Sequence, residues 1–343
     1  MKAVVLNRNG GPEVLEYVSE FPEPEISPNE VLVNVKYTTL NRVDLFIRKG
    51  YPGLKLNFPH IMGGDIAGIV TRVGAAVHNF KEGDKVVAYP VVLPSELSPK
   101  FEGMEHLNDN WTFFGMHSRG SYAEYVAVPE RNLVKLSEDA DLKQACTLPV
   151  AGLTAYHAVV TVGNIKQGEV FFFWGGSSGL GSFAIQLAKM NGAKVITTVG
   201  DESKREIVSS LGADYVFNHK TDDVVSEVLK ISPQGVDVVL DYIASATFDK
   251  SLAMLRKNGK LLVCGMETSP EVTINLQRFY IRHLNMCGLY LGSLGEFNEL
   301  VSLFNNYKIT PRIDTIFALK DAKLAHEYME TGKHIGKILL AIE

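Results

Sequence analysis

The run Gly175-Gly176-Ser177-Ser178-Gly179-Leu180-Gly181 is the stretch whose residue types and spacing bear most directly on chemistry. It follows the apolar residues 170–174, which read as a buried strand, and leads into residues 182–189, which read as a helix. Glycines let a backbone approach a pyrophosphate, and the N–H groups and dipole of a helix start attract its charge. Strand, glycine turn and helix in that order therefore predict a dinucleotide site rather than a plain tight turn. A second β-branched run, residues 195–199, follows after Gly192-Ala193-Lys194. A site built for NAD places Asp or Glu at the end of that second strand, on the ribose hydroxyls. Here the position is Val199, followed by Gly200, Asp201, Glu202, Ser203, Lys204 and Arg205. The missing carboxylate leaves room for a 2′-phosphate, and Lys204 and Arg205 can pair with it, which predicts NADPH rather than NADH. Two other readings stay open: the cations are the solvated first turn of a helix, or Asp201 reaches an unphosphorylated ribose.

Hydride transfer also needs a water-poor pocket and a group that stabilises charge developing on the substrate oxygen. Cys146, Cys264 and Cys287 stand far apart, with no C-x-x-C pair, and the nine histidines form no H-E-x-x-H spacing. Neither a four-cysteine zinc knot nor a disulfide framework is expected. His106, His117 and His157 read as ordinary core or surface residues, Trp174 as packing for the sheet, and Glu124 as a structural residue of a turn or strand.

Two kinds of scaffold must hold these groups. Up to about residue 129 the chain shows short strands, such as 31–35 and 66–70, punctuated by Gly and Pro, which predicts a barrel-like β unit. From about residue 142 helical stretches alternate with β-branched runs at 195–199, 215–217 and 236–240, which predicts a parallel sheet covered by helices. Residues 297–304 then read as a helix and 337–342 as a final strand. At 343 residues the chain is long enough for two domains. Apolar residues make up 46% and charged residues 21%, the balance of an ordinary globular protein. With 34 basic against 39 acidic residues, a net charge of -5 and no Lys/Arg block, nucleic-acid binding is not expected. No apolar stretch is long enough to cross a bilayer, and Asn7 and Arg8 interrupt the start before a signal-peptide core forms, so a cytoplasmic protein without membrane association is expected.

Asn41-Arg42-Val43-Asp44, residues 63–68 (Gly-Gly-Asp-Ile-Ala-Gly), Gly83-Asp84-Lys85-Val86, residues 120–125, residues 148–156, the glycine turn and Leu211-Gly212-Ala213-Asp214 together resemble the medium-chain dehydrogenase/reductase superfamily over essentially the whole chain. The resemblance implies an α/β protein with a GroES-like β-barrel catalytic domain (1–129 and 297–343) and a Rossmann domain with a doubly wound parallel sheet that binds the nucleotide (130–296). By the same resemblance the catalytic zinc ligands of the superfamily fall on Asn41, Gly64 and Val150, which make poor ligands, and the four cysteines of the structural-zinc lobe fall on Pro94, Leu97, Lys100 and Asn108. A zinc-free enzyme of the quinone oxidoreductase branch is implied, with Ser178 replacing the family's middle glycine. Asn41 is expected to face the substrate, Thr154 to contact the nicotinamide side, and Arg48 and Tyr51 to supply further donors. Strand character at 272–275 and 284–290 matches the family's subunit-pairing edge, implying a homodimer; a strand covered within one chain is the alternative.

The expected reaction is hydride transfer from NADPH to a small molecule, a quinone or an α,β-unsaturated carbonyl. A metal-free alcohol or aldehyde dehydrogenase, or a nucleotide-binding protein with little turnover, are the competing readings.

Overall fold

The computed structural model describes residues 1–92 and 99–343. The chain divides into two compact units, one of residues 1–153 with 293–343, the other of residues 154–292.

In the first unit the alternating residues of Glu30–Thr39 bury Val31, Val33 and Val35, and this long strand is the axis of a sheet. On one side it pairs antiparallel with Ala67–Val73, which is followed by Lys85–Ala88 and Leu133–Lys135; Tyr125–Pro129 also pairs with it. On the other side lie Lys337–Ala341, with Leu339 opposite Thr39, and then Ile313–Ala318. The returning C-terminal strand is thus hydrogen-bonded to the strand that leads into the helix Arg42–Lys49. Residues 130–153, expected in the nucleotide-binding domain, cluster with this first unit, because Leu133–Lys135 pairs with Lys85–Ala88 and the short helix Leu142–Ala145 packs on the strands Glu30–Thr39 and Ala67–Val73.

In the second unit six parallel strands run in the order Tyr215–Asn218, Lys194–Val199, Val170–Phe173, Val236–Asp241, Leu255–Val263 and Asn285–Gly288. Numbered along the chain this order is 3-2-1-4-5-6, so the topology reverses between Val170–Phe173 and Val236–Asp241, where ligands of open α/β sheets bind. Phe171, Phe172 and Phe173 are fully buried, as a strand covered on both faces requires. Trp174 packs edge-on against Phe172, and its Nε1 donates to Ser251 Oγ at 2.8 Å.

Residues 272–275 depart from expectation. They form no strand: Asn275 accepts the Arg278 N–H on its Oδ1 at 2.9 Å and caps the helix Leu276–Ile281. The edge strand is the short segment Asn285–Gly288 alone, paired on one side to Leu255–Val263. Residues 148–162 form one helix in which π turns at Leu148–Gly152 and His157–Val162 flank Leu153–Tyr156, and the boundary between the units falls inside it.

Candidate active site

The glycine turn lies at the C-terminal end of Val170–Phe173. Gly175 adopts φ +76°, and a Cβ on Gly176 would lie 2.6 Å from Thr197 Oγ1, so neither tolerates a side chain without displacement. A Cβ on Gly181 would meet the Gly176 carbonyl oxygen at 2.6 Å, which is how closely the helix Gly179–Met190 returns over the turn. Ser178 explains its own departure from the glycine pattern. With φ -75° and ψ 165° it needs no glycine, and its Oγ accepts the Gly181 N–H at 3.0 Å as the helix N-cap. The first N–H groups of the helix, Gly179 and Leu180, have no intrahelical acceptors and suit a pyrophosphate.

At the end of Lys194–Val199 the expected phosphate ligands divide. Arg205 is engaged: Nε and Nη2 donate to Glu202 at 2.5 and 3.0 Å, Nη2 lies 3.5 Å from Asp222, and Nη1 donates to the Val216 carbonyl. Asp201 accepts the Ser203 N–H and hydroxyl on one oxygen, at 2.9 and 2.7 Å, and these bonds hold its pKa below the usual carboxylate range. Lys204 is buried beside it, 8% exposed. Two residues that sequence reasoning passed over stand next to Gly200. A Cβ there would lie 3.1 Å from His219 Nε2 and 3.6 Å from Lys220 Cε. His219 Nδ1 meets Thr198 Oγ1 at 3.2 Å, and the charges of Lys220, Lys250 and Lys204 all bear on its ring. The signal available was the dipeptide His219-Lys220 at the end of the strand Tyr215–Asn218.

In the first unit Asn41 opens the helix Arg42–Lys49 with extended backbone, φ -124° and ψ 157°, and Asp44 Oδ2 accepts its N–H at 2.7 Å. Its side chain sits between two buried charges. Nδ2 donates to Asp65 Oδ2 at 2.7 Å, and Oδ1 accepts from Lys337 Nζ at 2.6 Å. Asp65 is fully buried; it also accepts the Thr39 hydroxyl, and on Oδ1 the Val150 N–H at 2.9 Å. Lys337, 4% exposed, donates to the Leu40 carbonyl at 3.0 Å and lies 3.5 Å from Asp65 Oδ2. Burial lifts the Asp44 carboxyl to about 7, against the opposing Asn41 N–H, with the Asp65 charge adding and Lys337 opposing. Arg48, fully buried, gives Nη2 to Glu330 at 2.7 Å and Nη1 to His326 Nδ1 at 3.2 Å. Burial and that guanidinium push His326 down to about 3, so its neutral ring meets the Tyr122 hydroxyl at 3.1 Å. Arg48 therefore anchors the helix instead of standing free for substrate. Tyr51 is half-buried, its ring tilted against Phe46 with centroids 6.3 Å apart. Thr154, in the second unit, is half-buried on the helix of residues 148–162.

Family models match both units. The alcohol dehydrogenase GroES-like domain matches residues 27–138, and the zinc-binding dehydrogenase family matches residues 179–306. Quinone oxidoreductase of Pongo abelii is 30% identical over 350 residues, spanning 100% of this chain and 98% of that protein. The chain is a medium-chain dehydrogenase/reductase. Among solved structures, an NAD-dependent alcohol dehydrogenase matches this dehydrogenase/reductase with a TM-score of 0.96 and 32% identity over 100% of both chains. The cobalt- and zinc-bound thermostable alcohol dehydrogenase from Pyrobaculum aerophilum matches with a TM-score of 0.90 and 31% identity over 99% of both. The first unit is accordingly GroES-like, the second a Rossmann sheet, and the protein an oxidoreductase of a superfamily that binds a nicotinamide cofactor.

A zinc-bound relative makes the metal positions of this dehydrogenase/reductase worth testing. Asn41 has its amide oxygen on an ammonium, Val150 has no ligating side-chain atom and its N–H and carbonyl are bonded to Asp65 and the Leu153 N–H, and Gly64 is packed under Phe113. A Cβ on Gly64 would lie 2.4 Å from Phe113 Cζ, so an imidazole cannot enter without moving that ring. A second cation would also stand against Lys337 Nζ. These residues do not fit catalytic zinc, which asks for thiolate, imidazole or carboxylate in tetrahedral array. Among the described residues no group of three or more His, Cys, Asp or Glu is placed to hold a metal. Of the structural-zinc positions, Pro94 and Leu97 lie outside the described residues. Lys100 stands over the Phe101 ring, and Asn108 is buried with its side chain on the Asn110 N–H at 2.9 Å.

Proposed function

We propose that this dehydrogenase/reductase is a cytoplasmic homodimer that moves hydride from NADPH to a quinone or an α,β-unsaturated carbonyl without zinc. The observation that carries the reading is the Asn41 side chain, held between Lys337 and Asp65 at a position where zinc relatives are implied to bind metal. A hydrogen-bond donor there suits a substrate whose developing negative charge is delocalised, because such a transition state asks less of any one group.

The bound nicotinamide supplies the hydride. The chain's own residues do the rest. Gly175, Gly176, Ser177, Ser178, Gly179, Leu180 and Gly181 cradle the pyrophosphate; Gly200 leaves space for the 2′-phosphate, which Lys204 meets together with His219 and Lys220. Arg205, tied to Glu202 and Asp222, braces that corner. Thr154 steadies the nicotinamide side, Asn41 donates to the substrate oxygen, Tyr51 is a second donor, and solvent returns the proton. The free, separated cysteines suit the reducing cytoplasm. The exposed apolar residues Leu276, Tyr280, Ile281 and Met286, on and beside the edge strand, support pairing with a second copy. Among the described residues no helix is long and apolar enough to cross a membrane.

A panel of quinones, enones, enoyl thioesters and simple alcohols, with elemental analysis of the purified protein, tests the reading. Conjugated acceptors should be reduced faster than alcohols are oxidised, with activity retained in a strong chelator. Asn41→Ala should lower turnover and leave NADPH affinity nearly unchanged. The match to an NAD-dependent alcohol dehydrogenase favours a second reading, metal-free alcohol oxidation. Faster alcohol oxidation in the same panel would establish that reading, and stoichiometric zinc whose removal abolishes activity would sink the zinc-free mechanism.

A further inference from the structure

Lys337 and Asp65 form an ion pair whose side chains are 4% and 0% exposed. An apolar pair of similar size is often at least as stable at such a site, so stability alone gives no reason for these charges. What they share is Asn41. An ammonium can only donate and a carboxylate only accept, so Lys337 at 2.6 Å must face the amide oxygen and Asp65 at 2.7 Å the amide nitrogen. The side chain cannot turn over without setting its N–H groups against a cation and its oxygen against an anion. In the orientation thus fixed, the second Nδ2 proton has no acceptor among the described residues, and the residue keeps 8% exposure.

We propose that Lys337 is a positioning residue for catalysis: with Asp65 as counter-charge, it locks the Asn41 amide so that this side chain offers an N–H, never its carbonyl, to the substrate oxygen. The inference rests on the reading of Asn41 as the donor to that oxygen. A flipped amide would set oxygen against developing oxyanion, so the lock selects substrates that accept hydride and gather charge on oxygen. The lock also explains the other bonds of the pair. Thr39 and the Val150 N–H hold Asp65, and the Leu40 carbonyl holds Lys337, so both charges are fixed before substrate arrives.

Lys337→Met alone would leave Asp65 buried and unpaired, and such a protein can fail to fold. The informative variant is Lys337→Met/Asp65→Asn, which removes both charges together: with its oxygen kept on the Val150 N–H, the new amide at position 65 turns an N–H toward Asn41 and favours the flipped orientation, against the Asp44 backbone N–H that the Asn41 side chain also caps. It is compared with wild type and Asn41→Ala for kcat on an enone, for NADPH affinity by fluorescence, and for the Asn41 side-chain amide signals in asparagine-labelled protein. The double variant should bind NADPH within about twofold of wild type yet lose on the order of 10- to 100-fold in kcat, reaching at most the lower end of what a missing transition-state donor costs. One Asn41 amide proton, shifted downfield in wild type by its charged acceptor, should move back. Unchanged kcat in Asn41→Ala would overturn the donor reading and the lock with it. A low kcat in Asn41→Ala beside a wild-type kcat in the double variant would overturn the lock alone, as would a low kcat in the double variant with unmoved Asn41 signals.

Discussion

Arg205 and Lys204 are adjacent cations in different settings. Arg205 spends its donors on Glu202, Asp222 and a carbonyl, whereas Lys204 is buried next to the cluster of His219 and Lys220 around Gly200. A charge-assisted hydrogen bond to phosphate contributes about 1.5–3 kcal/mol, or roughly 10–100-fold in affinity. Lys204→Ala should therefore erase most of a preference for NADPH over NADH, read by titrating both cofactors, whereas Arg205→Ala should keep the preference and lower the unfolding midpoint. An equal loss of preference in both variants would put Arg205 back on the phosphate. Asp44 provides a test by pH. Its folded pKa, about 7, lies above that of an unfolded carboxyl, so the folded protein holds this proton longer. The stability linked to it is present below about pH 4 and is lost as pH rises through 7, on the order of 4 kcal/mol if Asp44 titrates alone. Asp44→Asn keeps an acceptor for the Asn41 N–H without the charge. Urea midpoints of the variant relative to wild type should rise between pH 5 and 8; a constant difference would show that Asp44 titrates normally.

Among the elements, the strands at 170–174, 195–199, 215–217 and 236–240 were legible because buried parallel strands are continuous apolar runs, and each emerged within a residue or two of its expected limits. The stretch 272–275 was misread because strand character counts Val, Thr and Ile and overlooks that Asn275 is a helix cap. Lys337 was invisible for a different reason. A lysine before an apolar run reads as a solvated strand end, and its partners Asn41 and Asp65 are brought to it only by antiparallel pairing of the last strand with Glu30–Thr39. Arg205 likewise looked available because its partners, Glu202 on the preceding turn and Asp222 beyond the next strand, meet it only in the fold. Ser178 shows the same gap between letters and geometry: its position needs a negative φ and a cap, which serine supplies. Ser178→Ala should destabilise the protein by about 0.5–2 kcal/mol and Ser178→Gly by only a few tenths, measured by urea unfolding without cofactor. Equal losses would mean that the Gly181 N–H finds another acceptor.

For the whole molecule, the edge strand Asn285–Gly288 and the helix before it expose Met286 (50%), Tyr280 (63%) and Leu276 (66%) together. A two-fold pairing there uses the same patch on both copies. If the chain pairs through this patch as proposed, Met286→Lys should shift sedimentation from dimer to monomer while the second unit still binds NADPH; an unchanged dimer would move the interface elsewhere, and a monomeric wild type would overturn the pairing. The ring of Phe113 over Gly64 has a consequence of another kind, for the routes open to mutation. From this sequence the road to a metal enzyme has no downhill first step. Gly64→His collides with Phe113, an overpacking cost of about 1–3 kcal/mol, while Asn41→Cys leaves the Lys337 ammonium facing a thiol. Against a total stability of about 5–15 kcal/mol, each change taken alone weakens the protein before it yields any ligand set. On the zinc-free reading proposed above, the bare glycine and the ring that fills its space act as a ratchet, because each ligand would have to arrive at a loss before the set is complete.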